Sequence, residues 1–165
     1  MSRASRDGTI HTDGDRATIT FQRRLPHPIE RVWAAITDPA ERGAWFGPTT
    51  IDAREGGRID MVSEGPPAPE AARRMSGRIL AWDPPRLFEH EWHQSIVGET
   101  VVRYELAEDG AGTLLTFTHA RLRVRDAKGY IPGEHAYLDR LEARLDGEPL
   151  PAWTERYAMV LPTYA

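Results

Sequence analysis

The sequence predicts an α+β fold in which a curved antiparallel sheet wraps a long C-terminal helix. Three observations carry the prediction. Apolar and polar residues alternate over most of the chain, in segments separated by Asp-Gly and Pro-rich turns. The alternation is interrupted once, after the first long strand, by two short stretches of helical spacing. It ends near the C-terminus, where Leu138, Leu141 and Leu145 set a helical stripe.

Residues 1–7 are polar and aperiodic and read as a frayed, disordered tail, which leaves 8–165 as one domain. Residues 9–11 and 16–25 flank Asp13-Gly14-Asp15, a hairpin signal, and Ile19, Phe21, Arg23 and Leu25 share one face of the second arm. Pro26-His27-Pro28 stops that strand. Ile29, Val32, Trp33 and Ile36 then follow helical spacing, with Pro28 suited to the first helical position. Asp38 and Glu41 predict a capping box for a second short helix, which ends in Trp45-Phe46-Gly47-Pro48.

Five strands in meander come next, over 59–62, 74–82, 87–93, 100–108 and 113–120. The Pro-rich stretch 63–74 reads as a long mobile loop, and Asp109-Gly110-Ala111-Gly112 as a second hairpin turn. The last helix is expected from about Gly133 to Asp146, with Asp139, Arg140, Glu142 and Arg144 pointing away from the core and Gly147 as its stop. Successive hairpins put one solvated face on the sheet, and this helix is the element large enough to cover the other. Where helix and sheet part, an internal cavity is expected.

Composition removes several classes of function. Cysteine is absent, which excludes disulfides, thiolate nucleophiles and Cys-based metal sites. Basic residues number 21 against 25 acidic, a net charge of -4 without a polybasic run, so nucleic acid is not an expected partner. No stretch approaches the roughly 18 apolar residues of a spanning helix. The N-terminus lacks an apolar signal region, which predicts a cytoplasmic location and no membrane insertion. The only lysine, Lys128, falls in an expected solvated turn, unsuited to Schiff-base chemistry.

Leu25-Pro26-His27-Pro28, Val32-Trp33, Thr37-Asp38-Pro39, Trp45-Phe46, Asp83-Pro84-Pro85-Arg86 and the run Gly112 to His119 occur in an order that resembles the START-like (SRPBCC) superfamily. Within it the chain is most similar to the branch named after activators of heat-shock chaperone ATPase (AHSA-type). Leu138-Asp139-Arg140-Leu141 before Leu145-Asp146-Gly147 agrees with that branch, and the resemblance runs from about residue 8 to the C-terminus. It implies the helix-grip fold and no universal catalytic motif. Members include carriers of hydrophobic ligands, polyketide cyclases and aromatases, and cochaperones.

By alternation, Phe88, His90 and Trp92 share a face, as do Phe117 and His119. Relatives commonly carry Gly-Trp-His where this chain reads Gly133-Glu134-His135, a change that would widen the cavity and place an acid at its wall. The expected site is thus a polar cluster of His90, His119 and Glu134 in an apolar cavity lined by Trp45, Phe46, Phe88, Trp92, Tyr104 and Phe117. The opposing reading turns Glu134 to solvent, where it complements the helix dipole, and leaves His119 capping a strand end. Trp45-Phe46 reads either as a lip of the cavity or as a plug of the core. Arg23 meets either an acidic ligand or a carboxylate such as Glu134. No chelating spacing supports a metal, no cofactor is implied, and His11, His27 and His135 read as surface or capping residues.

Three functions are carried forward: a module that encloses a small hydrophobic or aromatic molecule, a cyclase- or aromatase-type enzyme using Glu134 and a histidine, and a chaperone-interacting protein. A homodimer is compatible with each.

Overall fold

The computed structural model describes residues 6–165. Strands β1 (Thr9–Asp13) and β2 (Arg16–Leu25) form the first hairpin, followed by helices α1 (Ile29–Thr37) and α2 (Pro39–Trp45). Six further strands are β3 (Thr49–Ile51), β4 (Arg58–Val62), β5 (Arg74–Asp83), β6 (Leu87–Gln94), β7 (Gly98–Asp109) and β8 (Gly112–Arg123). A single helical turn, α3 (Glu70–Arg73), precedes β5. The chain closes with α4 (Val124–Asp146), α5 (Trp153–Val160) and a 3-10 turn at Leu161–Tyr164.

All strands join one antiparallel sheet in the order β1-β2-β8-β7-β6-β5-β4-β3. Its register shifts between Ala17 and Ile19 and between Ile79 and Ala81. Such irregularities bend strands and increase twist, which lets the sheet curve around α4. The first shift coincides with Arg121 on β8, whose φ of 66° lies in the left-handed region. One sheet face and the inner sides of α1 and α4 form the core, around Ile19, Phe21, Phe88, Val102, Leu115 and Leu141. This is the α+β helix-grip arrangement that the patterning predicts.

Local chemistry explains the short helices. Asp38 accepts a hydrogen bond from the Ala40 amide at 2.9 Å and caps α2. Glu41 does not complete the expected box; it pairs instead with Arg31 at 3.2 Å and Arg144 at 2.9 Å. Gly47 ends α2 at φ 146°, and a Cβ there would lie 2.0 Å from the Val62 carbonyl oxygen, so only glycine lets the chain pass β4.

Several expectations need correction. Strand β3 was not expected, because three residues carry too little alternation to register. Helix α4 begins at Val124, well before Gly133, and runs through Pro132, so Lys128 is an exposed helical residue and not part of a turn. Packing against the sheet holds α4 together despite the lost amide donor. The stretch 63–74 contains α3 and is clasped at Gly65 by the Tyr137 hydroxyl, which accepts from its amide at 2.9 Å and donates to its carbonyl at 3.0 Å. Residues 1–5 of the expected tail lie outside the described residues; Arg6 is paired with Asp139 and Glu142.

Asp139 and Arg140 are buried, contrary to their expected outward direction. Arg23 pairs with Asp139 at 2.8 Å and with Glu142, not with Glu134. Arg140 reaches the carbonyls of Trp45 at 2.9 Å and Ala44 at 3.3 Å, capping the end of α2, where a cation complements the helix dipole. His135, expected at the surface, is buried edge-on to Phe21, and its Nδ1 meets the Tyr164 hydroxyl at 2.7 Å.

Candidate functional site

Glu134 lies on the sheet-facing side of α4 and is 7 % exposed, so the carboxyl turns inward and not to bulk water. Its Oε1 stands 2.6 Å from Nδ1 of His119, a fully buried residue of β8. Nε2 of the same ring is 2.7 Å from Oγ1 of Thr100 on β7, and that hydroxyl donates to the Trp92 carbonyl at 2.8 Å. Antiparallel pairing explains the alignment: Trp92 stands opposite Thr100, and His119 opposite Val102. The irregularity at Arg121 follows His119 directly, at the kind of position where a bulge re-aims a neighbouring side chain. Glu134 Oε2 is buried without a hydrogen-bond partner.

His90 joins neither group by a hydrogen bond. Its Nδ1 donates to the Glu91 carbonyl at 2.9 Å and its Nε2 has no partner. Burial, aided by the nearby Arg42 cation, pushes its imidazole down to about 3, so the ring is neutral at physiological pH. Arg42, which the sequence reading did not single out, is fully buried and has no carboxylate partner among the described residues. It donates to the Ile36 carbonyl at 3.1 Å, and its guanidinium lies 5.1–5.7 Å from the ring centres of Phe46, Trp45 and Tyr104.

A pocket of about 370 Å³ opens beside this cluster. Its walls come from β6 (Trp92, Gln94), α4 (Tyr130, Glu134, Tyr137), α5 (Trp153, Tyr157) and the loop at Gly65–Pro67. Of the residues singled out from sequence, Phe46, Trp92 and Glu134 line it. His119 stands behind Glu134. Trp45, Phe88, His90, Tyr104 and Phe117 are packed within the core, so Trp45 plugs the interior while its neighbour Phe46 forms wall. Trp45 is pinned there by its indole N–H, which donates to the Ala35 carbonyl at 2.8 Å.

Hydrogen bonds and ring contacts join the remaining walls. Gln94 Oε1 accepts from Trp92 Nε1 at 3.1 Å and from the Tyr130 hydroxyl, while its amide donates to the Ala72 carbonyl at 2.8 Å. Trp153 stacks on Tyr157 at 5.0 Å, and a Cβ at Gly65 would fall 2.2 Å from the Trp153 ring, so glycine lets the loop close over the indole. Burial raises the phenols of both Tyr130 and Tyr137, the latter to about 12, so both stay neutral donors. Two signals for this wall were present in the sequence. Gln94 extends the period-2 face of Phe88, His90 and Trp92, and Tyr130, Glu134 and Tyr137 follow helical spacing once α4 is started at Val124.

Among the described residues no three His, Cys, Asp or Glu side chains are grouped to hold a metal ion. Among the described residues no helix is long and apolar enough to cross a membrane.

The sheet wrapped on α4 defines a START-like helix-grip protein. Residues 26–146 match the family described as Activator of Hsp90 ATPase homolog 1-like protein, and the chain belongs to it. Among solved structures, the crystal structure of CalU16 from Micromonospora echinospora is 27% identical, with a TM-score of 0.75 over 97% of this chain and 94% of that one. A protein encoded by gene BPP1335 of Bordetella parapertussis, solved by solution NMR, is 28% identical at a TM-score of 0.70, covering 99% of this chain and 93% of that one. A comparison with curated proteins gave no match.

Proposed function

We propose that this protein binds a small hydrophobic or aromatic molecule in the pocket between α4, α5, β6 and the Gly65–Pro67 loop. The observation that carries the reading is the pocket itself. Its volume of about 370 Å³ suits a small ligand, and its walls are mainly aromatic and aliphatic with one polar side chain, Glu134, left short of a partner. Ile96 stands half exposed at the mouth and extends the apolar surface outward. Native mass spectrometry of protein purified without denaturation tests the reading. A retained small molecule, released on unfolding, is expected; bare protein both as isolated and after incubation with a library of aromatic compounds would remove it.

A second reading, an enzyme of the cyclase or aromatase type, is favoured by the 2.6 Å contact between Glu134 and His119, which can pass a proton between the pocket wall and the buried ring behind it. It requires Glu134 to touch the reacting atoms. Turnover of an aromatic-forming polyketide-type substrate that survives Glu134→Gln unchanged would exclude it.

A further inference from the structure

We infer that His119 and Glu134 hold one proton in common, so that Glu134 presents the pocket with a hydrogen-bond acceptor of no net charge, selective for neutral aromatic hydroxyl compounds over ammonium ions. The inference rests on the pocket reading above and names the ligand class for it.

The proton count follows from three contacts. A threonine hydroxyl has one hydrogen, and a carbonyl oxygen only accepts. Because Thr100 Oγ1 lies 2.8 Å from the Trp92 carbonyl, its hydrogen is spent there. The 2.7 Å contact with His119 Nε2 therefore runs the other way, with Nε2–H donating to Oγ1. His119 Nδ1 then faces Glu134 Oε1 at 2.6 Å. A bare nitrogen lone pair against an ionised carboxylate at that distance would repel, so one proton sits between them. Whether drawn as imidazolium and carboxylate or as imidazole and carboxylic acid, the pair is neutral as a unit, and in both drawings Oε2 is an acceptor without a donor.

The surroundings preserve this neutrality. Tyr130 packs edge-on against the His119 ring at 5.5 Å, Trp92 lies at 5.2 Å, and His90 on β6 is itself neutral. Among the described residues no guanidinium or second carboxylate hydrogen-bonds the pair. An ammonium ligand would leave water for a site offering no compensating charge, a costly transfer. Glu134 already lines the pocket, and a small turn of its side chain brings the buried Oε2 to a neutral hydroxyl, which supplies the donor it lacks.

Calorimetric titration with β-naphthol, naphthalene and naphthylmethylammonium tests the selectivity, and nitrogen NMR of the His119 ring tests the proton count. β-Naphthol is expected to bind about three- to tenfold more tightly than naphthalene, and at least about tenfold more tightly than the ammonium. Glu134→Gln keeps the hydroxyl preference, since its amide N–H can face Nδ1 and its carbonyl replaces the acceptor; Glu134→Leu loses it. An ammonium that binds tightest, equal binding of all three probes, or a preference that persists in Glu134→Leu overturns the inference and leaves the pocket standing. No binding by any probe removes the pocket reading and the ligand class with it. The NMR arm needs no ligand: a proton on Nε2 is expected, and a proton-free Nε2 overturns the count by itself.

Discussion

Glu134 and Asp139 stand little more than a turn apart on α4, both carboxyls equally buried, yet their surroundings have little in common. Around Asp139 both oxygens are taken: Oδ1 by Arg6 and Arg23 at 2.8 Å each, and Oδ2 by Arg156 at 2.6 Å with His135 at 3.4 Å. Burial alone would raise this carboxyl, but His135, Arg23 and Arg156 together hold it well below the usual carboxylate range. These contacts tie the N-terminal segment, β2 and α5 to the central helix. Around Glu134 there is one ring nitrogen, one unmet oxygen and a pocket. A carboxylate with both oxygens met fixes the fold, whereas one with an unmet oxygen beside open space fits a second molecule.

The contrast is sharpest in stability. Asp139→Ala should cost about 3–5 kcal/mol in chemical denaturation, because it removes the carboxylate that Arg6, Arg23 and Arg156 share and leaves the buried Arg23 guanidinium with Glu142 as its one carboxylate. Glu134→Gln should stay within about 1 kcal/mol of the parent, since an amide fills the same space and can still meet His119. Equal losses at the two positions would erase the distinction. Asp139 also predicts an acid limb. Its folded value is depressed, so its contribution is fully present above the unfolded value of about 3.9 and lost as pH falls through the folded one. Asp139→Asn should flatten that limb.

His90 belongs to the unmet side of the comparison. Its folded value of about 3 lies below the unfolded value of about 6.5, so the unfolded chain binds the extra proton first and stability falls as pH drops between those limits. The slope should reach about 1.4 kcal/mol per pH unit. His90→Phe should remove it while shifting stability at neutral pH by less than about 1.5 kcal/mol. A variant with the parent's slope over that window would show that His90 is not the group responsible.

Much of this was legible in the sequence because periodicity reports burial. Alternation located seven of the eight strands and the inward faces of Phe88, His90, Trp92 and Phe117. It failed where one rule overrode another. The turn expected around Lys128 and the helix start expected at about Gly133 hid the first half of α4 together with the Tyr130 side of the pocket; Gly129, Pro132 and Gly133 have low helix propensity and are carried there by packing. Asp139 and Arg140 read as solvent-facing because the pattern scores a charge as exposed, while ion pairing and carbonyl capping let both be buried. His90, His119 and Glu134 were expected together, the histidines from their strand faces and Glu134 from its departure from the family pattern; the role of Thr100 depends on three-dimensional register, which no local pattern records.

The claim that the pocket is a binding site is tested most directly by filling it from a position that has room. Gly129 lines the pocket within α4, and a Cβ there would meet nothing within 4 Å. Gly129→Trp should leave the fold as stable or raise it by up to about 0.5 kcal/mol, since glycine is a poorer helix residue than tryptophan. Titrated with β-naphthol, the parent should show saturable binding at one site, and Gly129→Trp should show none at an unchanged or higher melting temperature. Binding that is equal in the two proteins would contradict the account.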